Sequence, residues 1–194
     1  MNFDNLMTFL IKNNMQVFSY NDLRTILPDA KQDNLKRNVY NWVDSGKITR
    51  LKRGLFQLAY PGKENVPDIY IANRMYEPSY ISLDTALSIF NLIPEIAMTV
   101  TSVTSKATRR FNNQYGTFVY RTLKRNYFTG YSIMKEGNYE IKIADPEKAI
   151  ADYLYLNNTK TIDRIDKTIL RGLSKKRLDK YCKLMNVSWW KLYA

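Results

Sequence analysis

The sequence predicts an α+β fold in two parts: a small helical domain over 1–60, and a mixed α/β domain over 61–194 that ends in basic helices. Three observations predict it. Apolar residues recur at helical spacing in three segments before residue 46, then give way to two short strand-like runs. A β-branched stretch at 96–104 and alternating segments at 118–122 and 139–143 place strands in the middle of the chain. Between the parts, Tyr60-Pro61-Gly62-Lys63-Glu64-Asn65-Val66-Pro67 breaks every periodic pattern.

The elements follow in order. Leu6, Phe9 and Leu10 share a helical face, and Asn13-Asn14 ends that pattern. Phe18-Ser19-Tyr20-Asn21 offers capping groups ahead of Leu23, Ile26 and Leu27, and Pro28 stops this second helix. A longer third helix is expected over 32–45. Its residues Leu35, Val39, Trp42 and Val43 form one apolar stripe, and Gly46 closes its C-terminus. Ile48 and Leu51, the turn Lys52-Arg53-Gly54, and Leu55-Phe56-Gln57-Leu58 then make a hairpin with a basic tip. Three helices followed by such a hairpin is the order of a winged helix-turn-helix. In the second part, helices are expected at 68–74 and 82–90, the latter capped by Ser82 with Asp84 in its first turn. Another opens at Asp145-Pro146 and runs through Ala149, Ile150, Tyr153 and Leu154. Residues 161–192 read as helical, with Ile165, Ile169 and Leu173, then Leu178, Tyr181, Leu184 and Met185, at helical spacings.

Composition narrows the chemistry. The 194 residues include 30 Lys or Arg against 18 Asp or Glu, a formal charge of +12. That charge divides as +4 over 1–60, +2 over 61–145 and +6 over 146–194, so the excess sits at both ends. Such a balance favours a polyanionic partner. The chain has no histidine, which excludes His-based acid–base catalysis, Ser-His-Asp triads and His-containing zinc sites. The single cysteine, Cys182, excludes an internal disulfide and thiolate metal clusters and suits a reducing compartment. Seven scattered glycines form no phosphate cradle. No apolar run approaches the roughly 20 residues that cross a bilayer, and the first ten residues lack the positive charge of a signal peptide. The expectation is a cytoplasmic protein with no membrane partner, no metal and no cofactor, and not an enzyme.

Two stretches resemble catalytic sequences without completing a site. Glu140-Ile141-Lys142 has the Glu-x-Lys form of a metal-dependent nuclease, but that chemistry needs another acid to share the metal. Glu136 is close in sequence and Asp84 distant, so the segment is expected to be an exposed strand edge of alternating charge. Asp145-Pro146-Glu147-Lys148 reads as a helix start, with acids at the positive end of the dipole and Lys148 spaced to pair with Asp152.

The third helix carries the binding chemistry. With Leu35 at zero degrees, Asn34, Arg37 and Asn41 fall between about 200 and 260 degrees, opposite the apolar stripe. Arg grips guanine O6 and N7 with two donors, and Asn pairs with adenine N6 and N7, so this row suits base reading in a major groove. Lys31, Lys36 and Tyr40 flank the row within reach of phosphates. Arg50, Lys52 and Arg53 on the hairpin would meet the backbone or an adjacent minor groove. The alternatives are an ordinary solvated face and a protein-interaction module that uses the same domain without DNA. An RNA-binding reading would use the 15 tyrosines and the basic tail for stacking, but the tyrosines are spread evenly, as core and sheet positions are.

Several stretches occur together in a recognisable order: Tyr80-Ile81-Ser82-Leu83-Asp84-Thr85-Ala86-Leu87, Ile93-Pro94-Glu95, the Thr-rich strand at 99–104, Phe111 and Gly116 before Phe118-Val119-Tyr120, and Ala144-Asp145-Pro146-Glu147-Lys148-Ala149-Ile150-Ala151-Asp152-Tyr153-Leu154-Tyr155-Leu156. With the helices and hairpin, they resemble the AbiEi-type antitoxins of type IV toxin–antitoxin (abortive-infection) systems over roughly residues 15–157. The resemblance implies an N-terminal winged helix that binds operator DNA and represses the antitoxin–toxin operon. Winged-helix operators are often paired, so inverted repeats are the expected site. The resemblance also implies an α/β domain that opposes a cognate nucleotidyltransferase-like toxin. Carried onto this chain, the DNA contacts are Asn34, Arg37 and Asn41 on the helix and Arg50, Lys52 and Arg53 on the wing. Ser82, Asp84, Glu147 and Lys148 match family positions too, but their types suit capping and packing and receive no catalytic role. The chain has no Gly-Ser dipeptide, with which the toxin fold opens its site, so it is not expected to be the toxin.

Overall fold

The computed structural model describes residues 3–59 and 66–193. It is a mixed α and β protein whose chain divides into two compact units, Met1–Pro67 and Asp68–Ala194. The division expected between residues 60 and 61, and most of the linker around it, fall at 60–65, outside the described residues. Among the described residues no helix is long and apolar enough to cross a membrane.

The first unit runs α1 (Phe3–Lys12), β1 (Val17–Ser19), α2 (Tyr20–Ile26), α3 (Gln32–Asp44), β2 (Ile48–Lys52) and β3 (Leu55–Leu58). The strands form an antiparallel sheet in the order β1-β3-β2. Ser19 starts α2 with a capping box: its Oγ accepts from the Asp22 amide at 3.2 Å, and the Asp22 carboxylate accepts from the Ser19 amide at 2.7 Å. The sequence shows this cap but conceals β1, because three residues leading into a helix have no room to display a strand period. Leu6, Leu10, Phe18, Leu23, Leu35, Val39, Trp42, Ile48 and Phe56 form one core, with the Phe3 and Trp42 rings 5.3 Å apart. Both Ile48 and Leu51 are buried although three residues apart, because the β2–β3 register slips between Arg50 and Lys52. That bulge turns Leu51 inward.

The second unit contains α4 (Asp68–Met75), β4 (Ser79–Ile81), α5 (Leu83–Ile89), β5 (Thr99–Thr104), β6 (Arg109–Asn113), β7 (Gly116–Thr122), β8 (Tyr131–Glu136), β9 (Tyr139–Ala144), α6 (Pro146–Leu156), α7 (Lys167–Gly172) and α8 (Lys175–Met185). Its six strands lie in the order β6-β7-β5-β4-β9-β8, with β5/β7 and β4/β9 parallel and the other pairs antiparallel. Successive residues of β7 show how the sheet is covered. Tyr120 donates to the Ala72 carbonyl of α4 at 2.6 Å, while Arg121 reaches the Leu156 carbonyl and the Asn157 side chain at the end of α6. Helix α4 thus covers one face, and α6, with its neighbour α5, the other.

Four expectations change. The β-branched run forms a strand only from Thr99; Ile96 and Met98 precede it and are 85% and 93% exposed. Ser82 sits at the N-cap position of α5 but makes no capping bond. Leu83 follows in the left-handed region (φ 56°), and the Ser82 hydroxyl turns inward to Asp152 instead. Strand β9 is not an edge, since β8 lies outside it. The helical tail starts later than 161: residues 161–166 lie outside any helix, and Asp166 and Ser174 start α7 and α8 with side-chain caps.

Candidate nucleic-acid interface

Helix α3 has two distinct sides. Leu35, Val39 and Trp42 are buried and Val43 half-buried, which fixes the helix against the core of the first unit. Asn34, Arg37 and Asn41 are exposed on the opposite side, as the angular arithmetic requires. Tyr40 stands beside them at 67% exposure, and Lys31 is exposed at the N-cap position without capping the helix through its side chain. Lys36 is exposed and pairs with Asp33 at 3.8 Å, so an acid already shares its charge. A cleft of about 580 Å³, lined by Leu27, Asp29, Lys31, Asn34 and Trp42 among others, opens at the start of α3 and puts Asn34 on its rim.

The hairpin supplies the other cations. Arg50 and Arg53 are exposed, whereas Lys52 is half-buried. Gly54 takes φ 80° to close the turn, a conformation that suits glycine. Its carbonyl accepts from the Tyr20 amide at 3.3 Å, which ties the tip to the start of α2. The Tyr20 ring meets Phe56 edge-on at 5.2 Å. Chemically, the arrangement offers guanidinium and amide donors on a rigid helix, with two further guanidinium groups on an anchored ribbon.

The motif residues of the second unit assemble a buried polar cluster that the sequence only hints at. Lys148, Asp152, Tyr80 and Ser82 are fully buried. Asp152 accepts from Ser82 at 2.8 Å, from Tyr80 at 3.0 Å and from Lys148, while Lys148 also donates to the Tyr80 oxygen at 2.8 Å. Burial raises the Asp152 pKa and lowers that of Lys148, working against their mutual attraction. The i, i+4 spacing was the one visible signal; it predicted the Lys148–Asp152 pair but neither its burial nor its link to Tyr80 and Ser82. Glu147, likewise buried, accepts from the Ser174 amide and from Arg177, both at 3.0 Å, fastening the start of α8. Asp84 pairs with Arg164, which also lies 3.7 Å from Glu95. Asp145 accepts from the Tyr181 hydroxyl at 2.9 Å rather than capping α6 through its side chain. These residues hold the second unit together.

The Glu-x-Lys segment is dismantled by the strand register. Glu140 sits opposite Lys135 and Glu136 opposite Tyr139, so the two carboxylates point to opposite faces of the sheet. Among the described residues no group of three or more His, Cys, Asp and Glu side chains is placed to hold a metal. No protein-family model matches this chain, and no curated protein does.

Proposed function

We propose that the first unit is a winged helix-turn-helix that binds duplex DNA sequence-specifically, with α3 as recognition helix and the β2–β3 hairpin as wing. The observation that carries this reading is the two-sidedness of α3: Leu35, Val39 and Trp42 are buried, and Asn34, Arg37 and Asn41 are exposed. The exposed Arg50 and Arg53 nearby in sequence suit phosphate contacts. The protein acts in the cytoplasm as a repressor of its own operon and as the antitoxin of a type IV toxin–antitoxin pair. The antitoxin part of the proposal, including opposition to a nucleotidyltransferase-like toxin, draws on the motifs between residues 80 and 156. No catalytic role is assigned to any residue.

The test is a gel shift with the intergenic duplex upstream of the gene, against single-stranded RNA of equal length. The reading expects a discrete shift of the duplex at protein concentrations that leave the RNA free. A protein that shifts neither, or only the RNA, overturns it. Co-expression with a nucleotidyltransferase-like reading frame next to the gene should restore growth that the frame alone arrests.

A further inference from the structure

Strand β8 ends the six-stranded sheet, and its outward side can be read from one hydrogen bond. The Gly130 carbonyl accepts from the Asp145 amide at 2.9 Å, so Gly130 and Asp145 form a hydrogen-bonded pair that continues the β8–β9 register. Antiparallel ladders alternate. Ser132, Met134 and Glu136 therefore bond inward to β9, and Tyr131, Ile133 and Lys135 present their N–H and C=O groups outward. No hydrogen bond from the described residues reaches those six groups. Ile133 is 60% exposed there, and Tyr131 stacks on Tyr80 with centroids 4.8 Å apart, which places the side chains of 131, 133 and 135 on the face covered by α6.

We propose that two copies of the chain pair antiparallel through β8, with Ile133 of one opposite Ile133 of the other. The symmetry of the edge selects a second copy as the occupant. A two-fold axis through residue 133 sets 131 against 135, so all six outward groups are satisfied at once, in three hydrogen-bonded pairs. On the shared face the two Ile133 side chains cover each other, and each Tyr131 ring lies across from a Lys135 ammonium, a pairing that favours cation–π contact. The opposite edge, β6, carries the exposed Arg109 and Arg110 side by side and offers a second copy like charge instead. The pairing joins two sheets into one of twelve strands. It rests on the second unit alone and is independent of DNA binding.

Sedimentation of the full chain tests it. The expected result is twice the 22.9 kDa chain mass, returning to the single-chain mass in Ile133→Pro and Ile133→Asp with unchanged circular dichroism. The proline removes an outward N–H and leaves the inward ladder whole. The register has its own readout. Opposed residues of a hydrogen-bonded pair lie about 5.5 Å apart at Cα, within disulfide range. Ile133→Cys should therefore oxidise to a covalent dimer, and Ser132→Cys, which faces residue 134 in this register, should not. Cys182 is buried and stays out of the reaction. A wild-type protein of single-chain mass, a dimer that survives both Ile133 substitutions, or a Ser132→Cys cross-link equal to that of Ile133→Cys overturns the proposal.

Discussion

Salt should weaken DNA binding by an amount the exposed cations set. Lys31, Arg37, Arg50 and Arg53 are exposed on α3 and the hairpin, Lys52 is half-buried, and Lys36 is shared with Asp33. Counting about five phosphates neutralised, log K falls against log salt with a slope near −4.5. Raising salt from about 50 to about 200 mM then costs roughly 500-fold in affinity, about 3.7 kcal/mol. Fluorescence anisotropy of a labelled duplex, titrated at four or five salt concentrations, reads the slope directly. Arg53→Ala should flatten it by about 0.9. Asp33→Asn should steepen it, because Lys36 is released from its 3.8 Å partner. A slope shallower than about −2, or one indifferent to Arg53, would mean that these cations do not meet the phosphate backbone.

The second unit supports predictions of its own. Lys148→Met leaves the fully buried Asp152 without its cation and should destabilise the unit by about 3–5 kcal/mol in urea unfolding followed by circular dichroism. Lys148→Met/Asp152→Leu should recover most of that loss, and a single variant within about 1 kcal/mol of wild type would refute the cluster's structural role. Burial pushes the Cys182 thiol up to about 12 from 9.0. Its folded pKa lies above the unfolded one, so the stability it contributes is complete below pH 9 and is lost as pH climbs toward 12, at up to about 1.4 kcal/mol per pH unit. Cys182→Ala should remove that part of the alkaline slope; an identical slope in the variant would contradict the linkage. A Cβ on Gly130 would lie 2.6 Å from the Tyr181 ring at φ 75°, so Gly130→Ala should cost about 1–3 kcal/mol, seen as a lower urea midpoint.

Where local chemistry decides the structure, the sequence was readable. The third helix was bounded by its stripe of Leu35, Val39 and Trp42 and by Gly46, and it ends at Asp44 with Gly46 at φ 69°. Its exposed row followed from angular spacing alone. Strands set by tertiary pairing were not readable. β4 has three residues behind Pro78, β6 is Arg-Arg-Phe-Asn-Asn with no β-branched residue, and β8 has no apolar face that is buried throughout. Each is held by its neighbours in the sheet rather than by its own propensity. The role of Ser82 was misread for a related reason. A serine before a helix suits capping, and only the fold shows that Asp152, seventy residues away, takes its hydroxyl. The four buried polar residues come from β4, the turn after it and α6, so no local pattern could join Tyr80 and Ser82 to Lys148 and Asp152.

The most direct measurement compares Arg37→Ala with Arg53→Ala on the upstream duplex and on a random duplex of the same length. If α3 reads bases, Arg37→Ala costs about 1–3 kcal/mol on the upstream site and little on random DNA, while Arg53→Ala weakens both alike. Equal losses on the two duplexes for both variants would contradict the assignment of α3 as the base-reading helix.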